Sequence, residues 1–192
     1  MNTSQIATAL ALTLLGSACT IVRQLRDPAT LTPDGKASRT RSEDALDYSI
    51  ATYIEAPPAV VWAVMTDGPS FTQWNSTLVK LEGEIVKDQR IELISKVAPD
   101  RTFKLKISEL DAPKHMVWED GNGMFLGVRH FTLYPKDSGT VLAMSETYSG
   151  FFLGSAEKEM PDFTQNFETF AADAKREAER RAGASSAPPP AP

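Results

Sequence analysis

The sequence predicts an α+β domain: a curved antiparallel sheet of about seven strands wrapped on one long C-terminal helix, with two short helices after the first strand. Two observations lead to this prediction. Six segments of alternating polar and apolar residues follow one another from Thr77 to Ser149, and one long helical pattern runs from Pro161 to Arg180. Alternation means that one face of each strand is buried, and the long helix is the stretch of sequence large enough to cover that face.

The helical segment has one apolar face and one charged face. Apolar residues recur at three- and four-residue spacing, which places them on one side of a helix, and Pro161 suits its first turn. The large side chains lie in the first half and the alanines in the second, so we expect the first half to border a cavity. The apolar positions are Met160, Phe163, Phe167, Phe170, Ala171, Ala174 and Ala178.

The strands are predicted from β-rich stretches that are bounded by Pro, Gly and Asp. The first runs from Asp47 to Glu55, after which Pro58 begins a short helix and Ser70 to Trp74 forms a further helical turn. The later strands are Thr77–Val86, Gln89–Val97, Thr102–Leu110, His115–Glu119, Leu126–Tyr134 and Thr140–Ser149.

The patterns also predict the register of two hairpins. In the last hairpin Phe131 pairs with Met144, which puts Arg129 opposite Glu146 on the same inward face, because side chains on a strand repeat every second residue. Tyr148 continues that face. The earlier hairpin is expected to pair Leu105 with Trp118 and Ile107 with Met116.

The composition argues against several functions. The formal net charge is −5 and no basic cluster occurs, so we expect no nucleic-acid partner. The sequence has two histidines, His115 and His130, and one cysteine, Cys19, so we expect no metal site and no disulfide within the chain. It contains neither a phosphate-binding glycine loop nor a dinucleotide fingerprint, and no cofactor is predicted.

The N-terminus predicts an export signal. Ile6 to Leu15 is an apolar run, followed by the small residues Gly16 to Ala18 and then by Cys19. A short apolar core before small residues is typical of a secretory signal peptide. The cysteine at this point resembles a bacterial lipobox, which implies that Cys19 is lipidated and anchors the protein in the bacterial cell envelope, facing the periplasm. The alternatives are ordinary cleavage, giving a soluble periplasmic or secreted protein, and an uncleaved anchor from Ile6 to Val22.

These patterns divide the chain into four parts. Residues 1–18 form the signal peptide, and 19–44 a polar linker without helical or strand periodicity. The folded domain covers 45–181. The last residues, 182–192, contain only Gly, Ala, Ser and Pro, cannot bury enough apolar surface to order themselves, and are expected to form a disordered tail.

Three local motifs carry a resemblance to a known superfamily. They are the strand-to-helix opening Ile54 to Trp62, the aromatic motif Phe71 to Asn75, and the motif of the last strand from Ser138 to Gly150. In this order they resemble the START-like or SRPBCC superfamily, the helix-grip fold, which includes polyketide cyclase/dehydrase-like proteins. The resemblance covers about Asp47 to Arg180. It implies a small apolar ligand or lipid held between the sheet and the long helix.

The inward faces of the predicted elements supply candidate binding residues. Arg129, Glu146 and Tyr148 are the polar groups of an otherwise apolar surface, and they would orient a carbonyl, hydroxyl or carboxylate of a ligand. The alternative is a structural ion pair, in which Arg129 and Glu146 satisfy each other, fix the register of the strands and bind no ligand. The candidate ligand-binding set is Trp74, Trp118, Arg129, Phe131, Met144, Glu146, Tyr148, Phe163 and Phe167.

Three functions fit this pattern. The first is an exported carrier or sensor of a hydrophobic molecule or lipid. The second is an enzyme of the cyclase or dehydratase type, in which Glu146 would act as general acid or base. The third is a protein-interaction module of the cell envelope, which a filled core and an exposed apolar patch would favour.

Overall fold

The computed structural model describes residues 28–186, and within them it shows an eight-stranded antiparallel sheet and four α-helices. The strands are β1 (Ser38–Arg41), β2 (Ala45–Ile54), β3 (Leu78–Glu82), β4 (Arg90–Ser95), β5 (Ala98–Asp111), β6 (His115–Asn122), β7 (Phe125–Lys136) and β8 (Gly139–Ser149). The helices are α1 (Pro58–Thr66), α2 (Phe71–Trp74), α3 (Leu153–Glu159) and α4 (Thr164–Ser186). The signal peptide predicted over 1–18, Cys19 and the tail from residue 187 lie outside the described residues.

The sheet has the spatial order β1-β2-β8-β7-β6-β5-β4-β3, so each strand after β3 lies beside its sequence neighbour, and β2 joins β8 to complete the sheet. The long helix α4 packs against β2 and against α1. This arrangement confirms the predicted fold class. Within residues 28–186, none of the helices combines the length and the apolar character that a membrane crossing needs.

The apolar face of α4 is buried as its spacing predicts. Phe167 is 1% exposed, and Ala174 and Ala178 are fully buried. One residue of the charged face is buried. Asp173 is only 4% exposed, although the sequence pattern places it on the polar side of the helix. Its Oδ2 accepts hydrogen bonds from the backbone N and the Oγ of Ser76, both 2.6 Å. Asp173 therefore ties α4 to the segment that leads into β3.

The ends of α4 differ from the sequence prediction. The helix begins at Thr164 rather than Pro161, because Oδ1 of Asp162 accepts the backbone N–H of Thr164 at 2.8 Å and holds the preceding residues outside the helix. It continues to Ser186, into the segment 182–192 that was expected to be disordered. Ala182 packs against the core and allows the helix to extend.

Two elements were not predicted. The strand β1 lies within the expected linker 19–44, and its four side chains are exposed, so it shows no alternation. It forms because its backbone pairs with β2, with Ser38 opposite Ser49 and Arg41 opposite Leu46. The helix α3 was missed because Leu153 is its one buried residue.

The predicted register is confirmed in one hairpin and wrong in the other. Arg129 pairs with Glu146 and Phe131 with Met144, as expected for β7 and β8. Between β5 and β6 the pairs are Ile107 with Trp118 and Leu110 with Met116, not Leu105 with Trp118 and Ile107 with Met116. The reason is the position of the turn: Asp111 pairs with His115, which centres the hairpin on Pro113, whereas the predicted pairs centre it between residues 111 and 112. A bulge between Ile107 and Glu109 then adds one unpaired residue, which the alternation cannot reveal.

Candidate functional site

A cavity lies between the sheet and the aromatic half of α4. Its inner part has a volume of about 50 Å³, room for one or two water molecules at roughly 30 Å³ each. Strands β3 to β8 and α4 all contribute to its wall. The lining residues are Thr77, Leu78, Leu93, Ser95, Phe103, Leu105, Trp118, Gly127, Arg129, Glu146, Tyr148, Phe163, Asn166 and Phe170.

A wider cavity of about 300 Å³ adjoins the inner one and reaches the protein surface beside α3. Ligand sites begin at roughly this volume, so the outer cavity can hold a small molecule whose end points inward. Its outer wall contains Arg101, Asp120, Ala156, Glu159 and Met160. Both cavities share the lining residues Phe103, Leu105, Gly127, Glu146, Tyr148 and Phe163.

Arg129 and Glu146 form a buried ion pair where the two cavities meet. Nε of Arg129 donates to Oε2 of Glu146 at 3.0 Å, and the two side chains are 18% and 11% exposed. Burial by itself lowers the pKa of Arg129, but the adjacent carboxylate more than offsets this, so the pKa lies above its ordinary value. The ring of Phe167 lies 4.9 Å from the guanidinium carbon and supports the cation.

Tyr148 places a hydroxyl beside this pair. Its ring stacks on Phe163 with centroids 6.0 Å apart and on Phe125 at 5.9 Å. Burial, together with the charge of Glu146, raises the pKa of Tyr148 well above its usual value of 10.0. A side-chain hydrogen bond with Glu146 contributes to the raised pKa, and the phenol keeps its proton at neutral pH.

The charged pair leaves hydrogen-bonding capacity for a ligand. Both hydrogen bonds from Arg129 end on Oε2 of Glu146. Oε1 lies toward Gly127, where a Cβ would stand 3.7 Å from it. Trp118 also lines the inner cavity, and its buried Nε1–H has no hydrogen-bond partner among the described residues. Oε1 of Glu146 thus accepts no hydrogen bond from Arg129.

A second polar cluster lines the opposite side of the inner cavity. Nδ2 of Asn166 is 3.5 Å from Oγ of Ser95, and that hydroxyl is 3.5 Å from the backbone O of Thr77. Both distances are at the long limit for hydrogen bonds, so these groups can exchange partners with a bound molecule at little cost. The cavity thus has two polar ends and apolar walls.

The structure separates the nine predicted site residues into two groups. Trp118, Arg129, Glu146, Tyr148 and Phe163 line the cavity. The other four pack into the core and do not reach it: Trp74, Phe131, Met144 and Phe167. All nine lie on inward faces as predicted, but a residue that faces inward either borders the void or fills the space beside it, and the sequence pattern does not distinguish these.

Several lining residues were missed. Phe103 and Leu105 lie on the apolar side of the alternating strand β5, so the pattern contained them without marking them as pocket residues. Asn166 lies one helical turn after Phe163 and reads as part of the polar face of α4. Gly127 has no side chain, so no pattern of polar and apolar residues marks it. Its role depends on packing that only the structure reveals, since a Cβ there would stand 3.1 Å from Cε1 of Tyr148.

The arrangement can bind and orient a molecule with one or two oxygen atoms and an apolar body. In the described residues, no group of three or more His, Cys, Asp and Glu side chains is placed to hold a metal ion. The two histidines lie near each other, with ring centroids 5.5 Å apart, and neither lines the cavity. Burial and the neighbouring His115 lower the pKa of His130.

Comparison with known proteins shows the family of the chain. The sequence profile of the family described as "Polyketide cyclase / dehydrase and lipid transport" matches residues 46–179, which include every strand from β3 to β8 and nearly all of β2. The chain belongs to this family. Among curated proteins, none matches the sequence.

Solved structures share the fold of this chain. A protein of Mesorhizobium loti is 17% identical, with a TM-score of 0.57 over 70% of this chain and 97% of its own. The di-domain ARO/CYC protein StfQ of the steffimycin biosynthetic pathway is 16% identical, with a TM-score of 0.58 over 73% of this chain and 53% of its own. DynU16, from the dynemicin biosynthetic locus, is 15% identical, with a TM-score of 0.55 over 73% of this chain and 49% of its own. At this identity the likeness establishes the fold alone.

Proposed function

We propose that this protein is an exported, lipid-anchored carrier or sensor that holds a small hydrophobic molecule or lipid between its sheet and α4. One observation carries the binding proposal: the apolar cavity has a paired charge, Arg129 with Glu146, and a protonated phenol, Tyr148, at the point where its inner and outer parts meet. An apolar wall with a few convergent polar groups is the usual form of a small-molecule site.

The ligand is expected to be mostly apolar with one oxygen-bearing end. The outer cavity, about 300 Å³, would take the apolar body, and the oxygen would reach the hydroxyl of Tyr148 and Arg129. The test is native mass spectrometry of the protein purified from its own host, followed by titration of the empty protein with a fatty acid, a quinone and a phospholipid. Trp118 lines the cavity, so its fluorescence should change on binding. Recovery of an empty protein that binds none of the three probes would contradict the proposal.

The proposal of a lipid anchor is supported by the sequence before residue 28. The apolar run from Ile6 to Leu15, followed by small residues and then Cys19, has the order of a lipoprotein signal. We expect metabolic labelling with palmitate to mark the full chain and to be lost in Cys19→Ser. Export of an unlabelled wild-type protein would contradict lipidation and leave ordinary cleavage or an uncleaved anchor from Ile6 to Val22.

An enzymatic function is the second candidate, favoured by the cyclase and dehydrase activities that the family description includes. Glu146 would then act as general acid or base through Oε1, the oxygen that Arg129 leaves unbonded. Under this hypothesis Glu146→Gln, which keeps the acceptor for Arg129, abolishes turnover of a poly-β-ketone mimic while the circular dichroism spectrum is unchanged. Full activity of the variant would exclude Glu146 as the catalytic group.

A further inference from the structure

The outer cavity is covered by a segment that is weakly attached to the rest of the fold. Within α3 only Leu153 is buried, while Ala156 and Glu159 form part of the cavity wall. The segment leaves β8 at Gly150, whose φ is +111°, and returns to α4 through Met160 in an extended conformation with ψ 136°. Leu153 and Met160, near its two ends, pack against the core.

A second void lies on the other side of the same segment. It measures about 130 Å³ and is lined by Arg39, Leu46, Tyr48, Glu157, Met160, Pro161 and Asp162. Met160 and Pro161 also line the outer cavity, so this part of the chain separates two open spaces. Between Leu153 and Met160 no side chain of the segment is buried, which is typical of elements that open locally.

Two arginines of β1 hold this segment in place. Oε2 of Glu157 on α3 is 2.7 Å from Nε of Arg41, and Oε1 is 2.5 Å from Nη2 of Arg39. The arginines are positioned by bonds of their own: Nε of Arg39 donates to the hydroxyl of Tyr48 at 3.2 Å, and Nη1 of Arg41 to the backbone O of Glu43 at 3.0 Å. The two arginines are thus held in position on the sheet, and their shared partner Glu157 lies on the segment that covers the outer cavity.

We propose that residues 150–161 form a gate over the ligand cavity, and that the contacts of Glu157 with Arg39 and Arg41 keep it closed. This inference rests on the proposed ligand-binding function and adds its regulation. Glu157 does not line the ligand cavity, so its contacts hold the closed state whether or not a ligand is present. Loss of the clamp then speeds entry and exit of ligand by the same factor and leaves the affinity unchanged.

The first experiment measures gate opening without a ligand. Amide hydrogen exchange is followed in the empty protein at Phe152, whose N–H donates at 3.0 Å to the backbone O of Met124 outside the gate, so that this hydrogen bond breaks when the gate opens. In Glu157→Gln we expect exchange there to be roughly 1.4- to fivefold faster than in the wild type, the range for loss of an exposed charge pair. The matched control is Glu177→Gln, because Glu177 is also held by two arginines, at 2.7 Å each, but lies on α4 away from the cavity. Unchanged exchange at the gate in Glu157→Gln would overturn the proposal.

The second experiment measures passage of a ligand. Stopped-flow mixing with a fluorescent fatty acid gives association and dissociation rates for the wild type, Glu157→Gln and Glu177→Gln. We expect both rates to rise together in Glu157→Gln, with a constant Kd, and neither to change in Glu177→Gln. A change in the dissociation rate and Kd alone would show a direct ligand contact and overturn the gate. If the fatty acid binds to none of the three proteins, the ligand proposal fails for this probe, whereas amide exchange still decides whether the clamp holds the segment.

Discussion

Arg129→Met is expected to lower the free energy of unfolding by about 3–5 kcal/mol. The substitution keeps most of the length of the side chain but leaves Glu146 buried without its cation, with 11% of that side chain exposed. A buried carboxylate without a partner pays its desolvation cost with no compensating attraction. The measurement is urea denaturation followed by circular dichroism at neutral pH.

Two further variants separate the charge from the packing. In the double variant Arg129→Met with Glu146→Met, the charge is removed along with its partner, so most of the lost stability should return. Arg180→Met serves as the control, since Arg180 pairs with Glu177 at the surface and is 64% exposed, and we expect a much smaller loss of stability. A double variant as unstable as Arg129→Met would mean that the guanidinium stabilises the fold mainly by packing on Phe167.

Gly127→Val is expected to reduce ligand affinity at least a hundredfold, about 2.7 kcal/mol. A Cβ at residue 127 would stand 3.1 Å from Cε1 and 3.3 Å from Cδ1 of Tyr148, and its methyl groups would project into the space beside Glu146. Gly127 lines both parts of the cavity, so the new side chain obstructs the junction between them. The check is fluorescence titration with whichever fatty acid, quinone or phospholipid the wild type binds.

The control for this variant is Gly123→Val. Gly123 lies in the turn between β6 and β7, and a Cβ there meets nothing within 4 Å. Neither glycine has a positive φ, so valine introduces no left-handed backbone strain at either position. We expect Gly123→Val to bind as the wild type does. Wild-type affinity in Gly127→Val would show that the ligand does not occupy this junction.

The sequence predicted those parts of the fold in which a repeating pattern and a turn act together. The turn from Pro135 to Gly139 limits how β7 and β8 can pair, and the alternation of both strands then puts Arg129 opposite Glu146. The spacing of Phe163, Phe167 and the alanines identified the face of α4 that is buried. In each case many residues agree on one periodicity, so a single exception does not change the result.

The missed features depend on single residues or on partners distant in the sequence. β1 has four polar, exposed side chains, and it becomes a strand only because β2 offers an unpaired edge. The bulge between Ile107 and Glu109 shifts a register without altering the pattern on either side. Asp173 is buried by Ser76, a residue that no local pattern connects with α4.

The short strand β1 also hinders edge-to-edge pairing between copies of the protein. It lies at the end of the sheet, and together with the bridge between Asp34 and Thr52 it covers the outer side of β2. An uncovered ten-residue strand is a ready template for intermolecular pairing. The family match begins at residue 46, after β1, so a chain shortened to that boundary would bare this edge and tend to self-associate.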